Sequence, residues 1–214
     1  MDVLWKHAGE IGQAAGATVL LTILSWIGAL VLGTVVAALR MSAVRPARIT
    51  AAGYVAMFRN VPLPVQMVLF VFGLPLVGII YPLFASAVIA LVLYTAAFVA
   101  ETLTGGINTV ARGELEAARA LGFGPGRVLR HIALPQAFAS VVQPLGNVLI
   151  TMMKNTSVAA VVGVAELAYV SDEIATKEAQ TFVVFAAAVV VYLLLGLILG
   201  VGVGYLEKKV AFQR

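Results

Sequence analysis

Between Val61 and Ala100 the chain runs for 40 residues without a charged side chain. A helix that crosses a bilayer needs about 20 apolar residues. At about 1.5 Å per residue, the run would be roughly twice as long as the hydrocarbon core is thick, so it has to fold back on itself. Gly73-Leu74-Pro75 through Tyr81-Pro82 supplies the glycine and proline that such a turn requires. Two spans result, near 54–74 and 83–104. Three further stretches pass the same test: 17–39, 136–160 and 181–206. The fourth span in chain order, 136–160, belongs to the apolar run Ala133–Met153 and continues irregularly past Lys154. Residues 1–16 are left as an external N-terminal segment and residues 207–214 as a C-terminal tail.

Composition removes most alternatives. Hydrophobic residues make up 62% of the chain and charged residues 11%, where soluble domains carry about 25%. That is too little polar surface to coat a soluble particle. The expected fold is an all-α polytopic membrane protein with about five transmembrane helices. Cysteine is absent, which excludes disulfides and thiolate chemistry. The two histidines, His7 and His131, stand far apart, so no metal site is expected. The first apolar run is longer than a signal-peptide core and leads straight into Arg40 and a basic loop, so we read it as a retained span.

The net charge is +4, with 14 Lys and Arg. These residues fall in short gaps between apolar runs, a pattern of membrane topology rather than of a nucleic-acid surface. One set of alternating loops holds Arg40, Arg45, Arg48, Arg112, Arg119, Arg127, Arg130, Lys208, Lys209 and Arg214. The other set holds only Lys6 and Lys177. The positive-inside rule puts the first set in the cytoplasm. The N-terminus is then outside and the C-terminus inside. Residues 164–180, with Glu166, Asp172, Glu173 and Glu178, form an external loop.

The longest polar stretch, 106–135, faces the cytoplasm in this topology. Glu114 to Leu121 is rich in strong helix formers, Gly122 interrupts, and Pro125 can open a second helix, since proline is tolerated in a first turn. Taken alone, the pattern describes an interfacial helix resting on membrane lipid, and His131 reads as a polar-face residue. The spacing says more. Glu116-Ala117-Ala118 is followed by three residues and Gly122, and nine more residues lead to Ile132, then Leu134 and Pro135. This resembles the EAA motif of ABC-transporter import permeases. The resemblance implies the type I ABC importer permease fold in a bacterial plasma membrane. It also implies a coupling segment made by Glu116, Ala117, Ala118, Gly122, Arg127, Arg130, Ile132, Leu134 and Pro135, docked in a groove of an ATPase.

Other segments resemble the polar amino-acid branch of those permeases. They are Arg59-Asn60-Val61-Pro62-Leu63 with Gln66, Tyr94 to Glu101, Leu134-Pro135-Gln136-Ala137, and Lys154-Asn155-Thr156-Ser157. Phe98-Val99-Ala100-Glu101, Gly106 to Val110 and Lys154-Asn155-Thr156 are most similar to actinobacterial glutamate permease subunits. Asn-Val before Pro62 and Thr104 depart from the branch pattern. The partners implied are an ABC ATPase dimer, a second permease chain, identical or related, and an extracytoplasmic amino-acid-binding protein. The chain contains no Gly-x-x-x-x-Gly-Lys-Ser/Thr loop to cradle a nucleotide. The chain is therefore expected to be non-enzymatic, with ATP and Mg bound on the ATPase.

Ionisable side chains cost about 2.5–3.5 kcal/mol each in a bilayer, so they usually face a cavity or a partner. Arg59 at the second span, Glu101 late in the third and Lys154 at the end of the fourth are the candidates. With Gln66, Asn155, Thr156 and Ser157 they make up the expected substrate path. The plain alternatives are a snorkelling Arg59, a Glu101 paired with an arginine near the coupling loop, and a snorkelling Lys154. Gly196, Gly200 and Gly204 stand four apart, which suits close helix packing within the chain or at a subunit interface. The function expected is the permease subunit of an ATP-driven importer of a polar amino acid, glutamate first. A carrier driven by an ion gradient is the alternative, and it would show inverted repeats and midplane carboxylates.

Overall fold

The apolar runs become helices whose ends fall where the sequence supplies breakers. The computed structural model describes residues 2–211, and all its regular elements are helical. Arg214, counted above among the basic residues, and the end of the tail lie outside the described residues. A short helix α1 (Asp2–Lys6) turns into α2 (Ala8–Arg40). Residues 2–16, expected as an external segment, are thus largely helical and run into the first span. Helix α3 (Arg45–Asn60) opens with proline in its first turn, and α4 (Leu63–Leu76) follows.

The single span expected over 54–74 is a broken one, because α3 and α4 meet at 104°. The physical reason is Val61-Pro62. Proline has no N–H to continue the helical ladder, and it pushes the preceding residue into extended geometry. Val61 sits at φ −96°, ψ 130°.

Helix α5 (Leu83–Asn108) starts directly after Pro82, and α6 (Arg112–Ala120) lies in the polar loop. A turn of helix at Pro125–Val128 and a wider turn lead into α7 (Leu134–Asn155). The irregular continuation expected past Lys154 is a tighter 3-10 stretch, Thr156–Val162, which Gly163 ends at φ 87°. Helix α8 (Leu167–Glu178) and the long α9 (Thr181–Ala211) complete the chain. Among the described residues, four helices are long and apolar enough to cross a membrane, and there are five such spans if the bent pair α3–α4 is counted as one.

Helix α2 packs along α5 through small residues. Ala29 of α2 and Ala96 and Val99 of α5 are fully buried in one cluster. A Cβ on Gly33 would lie 2.6 Å from the Val99 side chain, so the two backbones approach closely there. Another close approach joins α7 to α9, where a Cβ on Gly146 would meet Val203 at 2.1 Å. The stripe Gly196, Gly200 and Gly204 is looser. Cβ atoms there would meet Met153 at 3.5 Å, Ile150 at 4.0 Å and nothing within 4 Å. Leu193, Leu197, Ile198 and Val201 of α9 point outward, an apolar face suited to lipid or another membrane helix.

Candidate substrate path and coupling segment

Asn147, Thr151 and Asn155 stand four residues apart on α7, which puts them on one helix face. They meet Tyr94, Thr95 and Phe98 of α5 around a cavity of about 270 Å³. Thr95 is buried near the middle of α5 and Asn147 and Thr151 are exposed, so the cavity is a groove that opens midway along the span. Its polar groups are two side-chain amides, two threonine hydroxyls and the Tyr94 phenol. Together they offer donors and acceptors but no fixed charge. The rings of Tyr94 and Phe98 are 5.0 Å apart and tilted, so the wall between them is aromatic.

Phe98 also lines a second cavity, of about 450 Å³, with Arg40, Arg59, Asn60 and Glu101. Arg40 Nη1 donates to Glu101 Oε2. Arg59 Nη1 approaches the same oxygen at 3.4 Å, and its guanidinium lies 5.4 Å from the centroid of the Phe98 ring. Helices α2, α3 and α5 each contribute one charge to the cluster. The first cavity is uncharged, its few polar groups set in a mostly apolar lining, and the second is charged.

The expected path residues separate in the fold. Arg59 and Glu101 come together, and Asn155 reaches the first cavity. Gln66 does not line either cavity: it is buried at the α3–α4 break, and its amide donates to the carbonyls of Phe58 and Val61, each at 2.9 Å. Thr156 donates to Met153 O and Ser157 to Lys154 O, so their hydroxyls are bonded within their own turn of helix. Lys154 is exposed, and no carboxylate pairs with it among the described residues. Tyr94, Thr95, Phe98, Asn147 and Thr151 were not singled out from sequence as path residues. The signal for two of them was present, since Asn147 and Thr151 repeat the four-residue spacing that ends at Asn155.

Glu166, read from sequence as part of an external loop, is fully buried. It caps α8 by accepting from Tyr169 N at 2.9 Å, and it accepts from the Tyr192 hydroxyl at 2.6 Å. Thr18 Oγ1 lies 3.4 Å from the same carboxylate and accepts from Leu167 N at 3.1 Å. The start of α8 is thereby tied to α2 and α9. At that end of the bundle, His7 is held above its ordinary value by its hydrogen bonds to Glu178 and then Glu10. Glu178 is held below its ordinary range by its bonds to Lys6 and then His7.

In the coupling segment, α6 ends in a glycine cap. Gly122, at φ 83°, donates to Arg119 O, and Phe123 donates to Ala118 O. These two bonds satisfy carbonyls that the helix end leaves free. Glu116, Ala117, Arg127, Arg130, Leu134 and Pro135 are exposed, Ile132 is half-buried and Ala118 is buried. Leu121 is 79% exposed and Phe123 38%, so the bend displays apolar side chains outward. Glu116 and Arg119, three residues apart on α6, do not pair. Instead Gln136 of α7 donates to Glu114, bracing α6 against the following span.

A helical bundle of this kind, with a bent second span and a polar loop between its third and fourth, defines an integral-membrane transport subunit. Residues 29–212 match the family of binding-protein-dependent transport system inner membrane components, and the chain belongs to that family. It is 39% identical over its full length to the glutamate transport system permease protein GluC of Corynebacterium efficiens, covering 100% of that protein. It is 38% identical to the probable glutamine ABC transporter permease protein GlnM of Bacillus subtilis, over 90% of this chain and 89% of that one. The solved structure of an amino acid ABC transporter with histidines superposes with a TM-score of 0.90, at 29% identity and 96% coverage of both chains. The chain is therefore a multi-pass inner-membrane permease subunit of an amino-acid ABC importer, itself non-catalytic. It works with a separate ATPase and a substrate-binding protein. The alternative of an ion-gradient carrier finds no support in these relationships.

Proposed function

We propose that this permease carries a polar amino acid, glutamate first, through the cavity between α5 and α7. The observation that carries this reading is the row Asn147, Thr151 and Asn155 facing Tyr94 and Thr95 in an otherwise apolar bundle. Asn147 and Thr151 are exposed and Asn155 is half-buried, so this row presents its amides and hydroxyl to the open space, where a polar guest can bond them. Amides and hydroxyls can donate to a carboxylate or accept from an ammonium. The relatives named for glutamate and for glutamine agree with a five-carbon polar substrate.

The same proposal gives residues 114–132 the coupling role. ATP and Mg bind on the partner ATPase dimer, whose closure pulls on the bend at Gly122. The exposed Leu121 and Phe123 support a docked partner there, since apolar side chains on a polar loop gain by being covered. A second permease chain, identical or related, completes the pathway, with lipid around the outward faces. The amino-acid-binding protein delivers from outside, where the basic-residue count puts the N-terminus and α8.

Radiolabelled uptake with Asn147→Leu tests the reading. Uptake of glutamate should fall at least about tenfold, or about 1.4 kcal/mol, while complex yield holds. Unchanged uptake at unchanged yield would remove the cavity from the path.

A further inference from the structure

We infer that Arg40, Arg59 and Glu101 form a station for the charged groups of the transported amino acid, selecting an acidic one. Arg59 receives the side-chain carboxylate and Glu101 receives the α-ammonium. This rests on the reading that the adjoining cavity is the substrate path.

Three fully charged groups share this one site. Their side chains are 23%, 40% and 44% exposed for Arg40, Arg59 and Glu101. Ionised groups at that exposure are costly against acyl chains, so the surface they line is a watered path or a protein contact. Arg40 is committed to Glu101. Arg59 is held more loosely, at 3.4 Å, which leaves most of its five N–H donors free for a planar carboxylate.

Arg59 is also well fixed in space. It occupies the last turn of α3, where the helix dipole favours a cation. The break directly after it is stapled by Gln66. Its guanidinium lies over Phe98, the residue whose ring lines both cavities. A guest at Asn147, Thr151 and Asn155 would therefore find Arg59 on the far side of one aromatic wall. Two guanidiniums and one carboxylate sum to +1. An acidic amino acid, with two carboxylates and one ammonium, sums to −1 at neutral pH. The match favours such a substrate over a neutral or basic one.

The test uses the permease–ATPase complex in phosphatidylcholine nanodiscs, without the binding protein, so that selectivity belongs to the membrane subunits. Equilibrium binding of radiolabelled L-glutamate is measured, with L-glutamine as competitor. The wild type should prefer L-glutamate by about tenfold or more. Arg59→Gln should weaken L-glutamate by at least about tenfold and erase the preference, whereas Arg59→Lys should retain part of it. Glu101→Gln should weaken both amino acids, since each carries the ammonium. Asn147→Leu should weaken both and leave their ratio unchanged.

If Arg59→Gln assembles and keeps both affinity and preference, the station is overturned. The cavity reading then stands or falls on Asn147→Leu alone. If Arg59→Gln does not assemble, Arg59→Lys and Glu101→Gln decide: wild-type binding and preference in both overturn the station. A wild-type complex that binds neither amino acid overturns both readings.

Discussion

Gln66 donates its side-chain amide to the carbonyl of Phe58 at 2.9 Å, across the break in the second span. The same nitrogen also bonds Val61 O at 2.9 Å. Pro62 cannot supply the backbone N–H that would have continued the ladder, so the glutamine substitutes for it. Gln66→Leu leaves acceptors unpaired in a buried place, at a cost of about 1–3 kcal/mol. The expected outcome is a lower melting temperature in detergent and less complex in the membrane. The KM of the surviving transporter should not change. A raised KM with normal melting would return Gln66 to the substrate path.

Glu166 and Tyr192 make a second buried contact that stability measurements can weigh. A hydrogen bond to a charged group contributes about 1.5–3 kcal/mol, so Tyr192→Phe should lower the melting temperature measurably. Glu166→Leu should lower it further, because Tyr169 N and the Thr18 hydroxyl lose an acceptor as well. Equal melting for Tyr192→Phe and wild type would show that the Tyr192 bond adds nothing net.

The parts of the fold that depend on hydrophobic run length were legible in the sequence. The turn before Pro82, the four long helices and the glycine bend at 122 follow from apolar length, proline and glycine alone. The geometry at Val61-Pro62 was not, because a run without charges hides a sharp bend that only a side chain such as Gln66 can satisfy. At the site, charge drew attention to Arg59, Glu101 and Lys154, and distance in the fold kept only the first two together. The burial of Glu166 was not legible, because it depends on Thr18 and Tyr192, residues far away in sequence. Phe98 carries no polar signal at all, yet it stands between the two cavities.

Glycines at helix contacts give a paired prediction. A Cβ on Gly146 would sit 2.1 Å from Val203, whereas one on Gly204 would meet nothing within 4 Å. Overpacking typically costs about 1–3 kcal/mol. Gly146→Ala should therefore destabilise the α7–α9 pair, and Gly204→Ala should be neutral or slightly stabilising in isolated chains. If Gly204→Ala lowers the yield of assembled complex while leaving the monomer's melting unchanged, its open face is covered by another subunit.

The contact of the N-terminal helix with α8 should depend on pH. His7 bonds Glu178 at 3.0 Å and Glu10 at 2.9 Å, and Lys6 bonds Glu178 at 2.6 Å. The histidine is raised by its carboxylates, Glu178 first. Its contribution is whole below the ordinary value near 6.5 and is lost as pH rises through the raised value. Glu178 is lowered, by Lys6 first. Its contribution is whole above the ordinary carboxylate range and is lost as pH falls through the lowered value. The contact is therefore firmest in mildly acidic medium. Hydrogen exchange of residues 2–11, corrected for intrinsic rates, should speed up as pH rises from the ordinary histidine value through the raised one. His7→Gln should remove that dependence, and a pH profile unchanged by His7→Gln would assign it to other groups.

Gly122 gives the sharpest test of coupling. Its φ of 83° is one that a branched side chain adopts only with strain of about 1–3 kcal/mol. A Cβ there would meet no atom within 4 Å, so the constraint inside this chain is purely one of backbone. Gly122→Val should straighten or shift the bend that presents Leu121 and Phe123, without touching the membrane core. Membrane abundance should hold, while substrate-stimulated ATP hydrolysis and uptake fall together. Gly122→Asn separates backbone from bulk, because asparagine tolerates the left-handed region. Full coupling in Gly122→Asn would show that the bend alone matters. Lost coupling there would show that the partner's surface comes close enough to exclude a side chain. Full coupling in Gly122→Val would reduce residues 114–132 to a helix resting on lipid, and the mechanical link to the ATPase would have to be sought elsewhere in the chain.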